Sequence, residues 1–101
     1  SAALFRAVAA WNTARMGPQT VHLAESQAEI DFLASGNGFF EDLLKRRGRW
    51  APDFQPPGAG AAAYLDGLGF LGPRTLTVHG TQLSAADCGR LAGTKTWLVL
   101  C

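Results

Sequence analysis

Apolar positions along the chain switch between helical and strand spacing several times. Leu4, Val8 and Trp11, with Phe5, recur three and four apart, which predicts an amphipathic helix over residues 2–15. Gly17-Pro18 ends it. Thr20 to Ala24 reads as a short strand. Ser26 is placed to cap a second helix, with Glu29 at its third position closing a capping box. That helix carries Ile30, Leu33 and Ala34 and stops at Gly36; Phe39 to Arg47 repeats the pattern through Phe40, Leu43 and Leu44 up to Gly48. Residues 49–60 are the one long irregular loop, and Trp50 and Phe54 within it argue against disorder. Ala61 to Leu68 reads as a short helix and Thr75 to Val78 as a strand, while Ser84 with Asp87 caps a helix through Leu91, stopped by Gly93. Thr96 to Leu100 is an uninterrupted apolar run, the mark of a strand covered on both faces.

Strands separated by helices imply right-handed parallel crossovers. The expected fold is therefore α/β, with three parallel strands near residues 19–24, 74–79 and 96–101, ordered as in the sequence, and helices on one face. Three such strands leave two apolar edges unpaired, whereas a closed eight-stranded barrel has none. The chain opens on helix-like sequence without methionine and stops at Cys101, on a strand. Residues 1–101 are thus expected to form a single partial barrel segment of a longer polypeptide. Its open faces would be buried against the rest of the parent barrel or, failing that, against further copies of itself.

Composition narrows the partners. An apolar fraction of 48% supports one modest core, and a net charge of +1 provides no field for nucleic acid or an anionic membrane. The run Lys45-Arg46-Arg47-Gly48-Arg49 reads as the cationic last turn of a helix closed by glycine. No apolar run approaches the ~18–20 residues of a membrane span, and the start lacks a signal-peptide layout. Cys88 and Cys101 read as small buried hydrophobes in a reducing, cytoplasmic setting.

Two histidines stand out because both end strands. In parallel α/β folds the carboxyl ends of the strands are where side chains converge on a ligand. His22 ends the first strand and is followed three residues later by Glu25; His79 ends the second and is followed by Gly80. Inside a strand a histidine and a glutamate three apart would diverge, but the turn before Ser26 lets Glu25 swing back over His22. His22 is then either a hydrogen-bonded core residue or a metal ligand beside a carboxylate that handles a proton. Neighbouring strands lie ~4.8 Å apart, so histidines at the same strand-end level can address one point. Glu25 is otherwise an exposed first-turn acid favouring a helix N-terminus.

The run His22-Leu-Ala-Glu25-Ser26 with Glu29 following, the segment Ala63-Tyr-Leu-Asp-Gly-Leu-Gly-Phe-Leu-Gly, the run Arg74-Thr-Leu-Thr-Val-His79-Gly with Leu83 and Asp87, and Trp97-Leu-Val-Leu-Cys101 resemble the amidohydrolase superfamily. Its cytosine deaminase, guanine deaminase and chlorohydrolase branch is the nearest in pattern. The resemblance implies a (β/α)8 metal-dependent hydrolase barrel whose strands five, six and seven lie here. It also implies a divalent metal, zinc or alternatively iron, and a small heterocyclic substrate losing ammonia or halide. By the same resemblance His22 is a metal ligand, Glu25 the proton shuttle, and His79 the residue orienting the hydroxide or substrate. Cys101 would open the family's Cys-Pro-x-Ser-Asn segment. The strand-one His-x-His pair and the strand-eight aspartate have no counterpart in these residues, so the chain alone is expected to be inactive. Two roles are open to Trp50 and Phe54: walls of a substrate pocket, or pins holding their loop to the helices. The rival to the whole reading is a non-catalytic α/β interaction module in which both histidines are satisfied structurally.

Overall fold

Capping chemistry sets the rhythm of the chain, because most turns that end a strand also start a helix. The computed structural model describes residues 1–101. The elements are α1 (Ala2–Arg15), β1 (Gln19–Leu23), α2 (Gln27–Ser35), α3 (Phe39–Arg46), α4 (Ala61–Gly67), β2 (Thr75–His79), α5 (Ala85–Gly93) and β3 (Trp97–Val99). The fold is α/β. The strands form one sheet in the order β1-β2-β3, each pair parallel, with Gln19 opposite Thr75 and Leu76 opposite Trp97. No helix is long and apolar enough to cross a membrane.

Both Ser84 and Asp87 do what their spacing predicts. The Ser84 hydroxyl accepts the Asp87 N–H at 3.1 Å, and the Asp87 carboxylate accepts the Ser84 N–H at 3.1 Å. Loss of such a cap costs about 1 kcal/mol. Ser84→Ala is accordingly expected to lower stability by that amount, seen as a lower urea midpoint with an unchanged slope.

The core lies between the sheet and the helices: Ala9, Leu23, Ala24, Ala61, Ala62, Leu65, Phe70 and Leu91 form one buried cluster. Phe5 meets Phe70 edge-on, with ring centroids 5.0 Å apart. Burial alternates along β1 and β2, so one face is covered by helices and the other is open. The choice of face on β2 is unexpected. Thr75 and Thr77 point into the helix layer, whereas Leu76 is 37% exposed on the open face. Each buried hydroxyl has a partner, as burial requires: Thr75 Oγ1 donates to the Phe70 carbonyl at 2.8 Å and Thr77 Oγ1 to the Trp97 carbonyl at 2.9 Å. Gln19 extends this polar latch, donating to the Phe70 carbonyl and the Thr75 hydroxyl while accepting from Asn12.

Two expectations need correction. The run 96–100 is not a strand covered on both faces: only Trp97–Val99 pair with β2, and Trp97 is 66% exposed. As an edge strand, β3 has a partner on one side only, so its apolar side chains lack neighbours. Cys88 and Cys101 are both free and exposed, not buried. Cys88 lies on the outward side of α5, where Leu91 is the residue that enters the core.

Candidate metal centre

Leu23 sinks its side chain into the core, so alternation turns His22 toward the open face. The strand then breaks at Ala24, whose φ of 52° is left-handed. This kink sends Glu25 back toward the strand end. It also aims two successive N–H groups at one acceptor: Glu29 takes the Ala24 N–H on Oε1 at 2.8 Å and the Glu25 N–H on Oε2 at 3.0 Å. The capping box expected at Ser26 is therefore only half formed. Ser26 Oγ accepts the Glu29 N–H at 3.4 Å, but the Glu29 carboxylate reaches past Ser26 to satisfy the kinked turn.

The end of β2 is also kinked. In register, His22 lies opposite Val78 and Leu23 opposite His79, so the two histidines are not at one level as the sequence suggests. On a regular strand His79 would share the covered face with Leu23. Its φ of 78° takes it out of the strand conformation, and its ring comes to 5.0 Å from the His22 ring, tilted by 49°. A left-handed histidine costs of order 1 kcal/mol and persists only where the surroundings hold it. Those surroundings are a set of bonds between the two turns. Gly80 N–H donates to the Leu23 carbonyl at 2.9 Å, and Gln82 N–H to the Ala24 carbonyl at 2.9 Å. The Thr81 hydroxyl donates to the Glu25 carbonyl at 2.6 Å, with the Ala24 carbonyl a second acceptor at 3.2 Å.

The outcome is a three-residue cluster. One ligand-type atom from each of His22, Glu25 and His79 lies within 4.8 Å of the other two. His79 Nε2 is 3.6 Å from Glu25 Oε1, with the Glu25 side chain 56% exposed and that of His79 22%. Two imidazoles and a carboxylate are a donor set that zinc accepts, at bonds of about 2.0–2.2 Å. Such bonds keep two donors of one ion within ~4.3 Å. The three groups are therefore close enough to stand around one ion, as ligands or as its neighbours, after a small rotation of the exposed Glu25 side chain.

Beside the cluster, along the outer edge of β1, runs an apolar cavity of about 280 Å³ whose lining includes His22, Glu29, Phe32, Phe40 and Tyr64. Trp50 and Phe54 do not line it. Phe54 stacks flat on Phe32 at 4.9 Å, and Trp50 meets Phe54 edge-on at 6.0 Å with the Lys45 ammonium 5.4 Å from its ring. The contacts seen for these two rings are thus those that hold the loop to α2 and α3. Lys45 also pairs with Glu41 at 2.7 Å, in keeping with a solvated helix end. Sequence reading missed Thr81 altogether. The only signal was a hydroxyl residue directly after His79-Gly80.

No protein-family model and no curated protein matches the chain. Among solved structures, it is similar to an adenosine deaminase from Xanthomonas campestris crystallised with bound zinc, at a TM-score of 0.68 and 24% identity. The match takes in 100% of this chain but only 18% of that one. What the likeness shows is the fold: three parallel strands and their helices, arranged as in one stretch of a much longer zinc-containing protein.

Proposed function

We propose that the chain is part of a metal-dependent hydrolase of the deaminase kind, acting on carbon–nitrogen bonds other than peptide bonds. In this reading residues 1–101 supply strands five, six and seven of an amidohydrolase-type (β/α)8 barrel, and the rest of a parent polypeptide supplies the remainder. The observation that carries it is the convergence of His22, Glu25 and His79 at the carboxyl ends of adjacent parallel strands. Parallel barrels hold their catalytic groups at that edge. The fold likeness to a zinc-containing deaminase supports the same kind of chemistry.

A divalent ion, zinc first, would supply Lewis acidity that brings the pKa of a water from about 15.7 into the neutral range. His22 would hold that ion through a ring nitrogen. Glu25, half exposed within the cluster, would take a proton from the attacking water and return it to the leaving nitrogen. His79, whose Nε2 faces Glu25 at 3.6 Å, would orient the attacking oxygen by hydrogen bonding. We assign the substrate to small heterocycles bearing an amino group or halide, in the manner of the cytosine deaminase, guanine deaminase and chlorohydrolase branch.

The test is release of ammonia or halide by the parent protein from a panel of heteroaromatic amines and halides, before and after chelation. The reading expects turnover of at least one amine or halide that chelation removes and zinc restores. Turnover that survives complete metal removal, or none with any member of the panel in the zinc-loaded protein, would defeat it.

A further inference from the structure

We infer that Glu29 and Thr81 are positioning residues for Glu25, acting together as a clamp on the peptide units that carry it. The inference rests on the reading above for its catalytic meaning, but its structural content stands independently of that reading. The Glu25 carboxylate is about half exposed, and the one side chain it is paired with is that of His79, whose Nε2 lies 3.6 Å away. Its aim is therefore set by its backbone. That backbone follows a left-handed alanine, a conformation that reverts unless outside bonds hold it.

The bonds are supplied from two separate elements. Glu29, on α2, accepts both N–H groups of the turn, one on each carboxylate oxygen. Thr81, just after β2, donates to the Glu25 carbonyl and lies within reach of that of Ala24. A helix cap alone would not require this chemistry, since glutamine serves a capping box as well as glutamate. Two N–H donors, one on each oxygen of the side chain, do call for a carboxylate. A glutamine in the same pose accepts one of them and turns its own NH2 against the other. The same clamp links Glu25 to the chain segment that carries His79, so both functional side chains take their places from one set of bonds.

The experiment compares metal-free wild type with Glu29→Gln, Thr81→Val and Thr81→Ser by NMR. It reads the nuclear Overhauser contact between the Glu25 γ-methylene and the His79 ring, together with amide exchange at Ala24 and Glu25. Wild type and Thr81→Ser are expected to show the contact and slow exchange. Glu29→Gln and Thr81→Val should lose the contact, with exchange at the two amides faster by roughly tenfold or more. In the parent protein the same two variants are expected to keep zinc content and KM while kcat falls by on the order of 10–100-fold. A purely structural role would lower the melting temperature yet leave contact, exchange and kcat in place. That result, or absence of the contact in wild type, overturns the positioning claim. Failure of wild type to turn over any amine or halide would instead strike the proposed function, leaving the NMR comparison to decide the clamp.

Discussion

Glu25→Gln in the parent protein is expected to retain its zinc and to lose turnover by about 10²–10⁴-fold, the span that positioned acid–base groups contribute. The amide keeps the shape of the side chain and its contact with His79, but it cannot carry a proton. His22→Ala should fail differently. Removing a partner that only supports a ligand already costs 10–100-fold in metal affinity, so loss of a ligand itself is expected to cost at least on the order of 100-fold. His79→Ala should fall between the two, keeping most of the metal while losing rate, because in the proposed reading it orients rather than holds. Zinc content by atomic absorption and initial rates on the three variants separate these roles. Wild-type rates for Glu25→Gln would remove the proton shuttle, and equal zinc affinity for His22→Ala would remove the ligand assignment.

The second large effect is on stability. Gly80 has φ of 69°, and a Cβ there would stand 2.8 Å from both Leu83 Cδ1 and Leu98 Cδ1. The left-handed backbone alone costs an L-residue about 1–2 kcal/mol. Forcing two leucines off their preferred rotamers adds roughly 0.5–1.5 kcal/mol each. Gly80→Ala is thus expected to destabilise the fold by about 2–5 kcal/mol in urea titration. Gly58 provides the control: its φ is 61°, but nothing lies within 4 Å of an added Cβ, so Gly58→Ala should show only the backbone cost, about 1–2 kcal/mol. Equal losses at the two positions would show that the leucines yield freely and that Gly80 is needed for its dihedral alone.

Why some of this was legible in the sequence and some not has physical reasons. Strand order and parallel pairing follow from turn and cap residues, which are local signals, and so does the presence of His22 and His79 at neighbouring strand ends. Ser84 and Asp87 are the clearest instance, since both halves of their box form as spaced. The left-handed turns at Ala24 and His79 carry no such signal, because neither residue type demands a positive φ. Without them, the offset of His79 by one position and the diversion of Glu29 to the kinked turn are invisible. Burial was misjudged where a residue's neighbours come from distant segments. The apolar side chains of β3 suggested a covered strand, yet the sheet ends there, and Thr75 and Thr77 took inward places that apolarity would have assigned to Leu76 and Val78.

The hydroxyl of Thr81 bonds a carbonyl 57 positions earlier in the chain, that of Ala24. A contact that distant forms only after a long loop has been closed, and the entropy lost in closing it is recovered only when the strands on either side have paired. The end of the sheet that carries His22 and His79 therefore has no partially assembled precursor: in a chain whose β1 and β2 have come apart, His22 and Glu25 are local neighbours with nothing opposite them. Any opening that separates those two strands should abolish the site in one step, so its integrity reports on the long-range pairing of the fold rather than on the local turns that carry its residues.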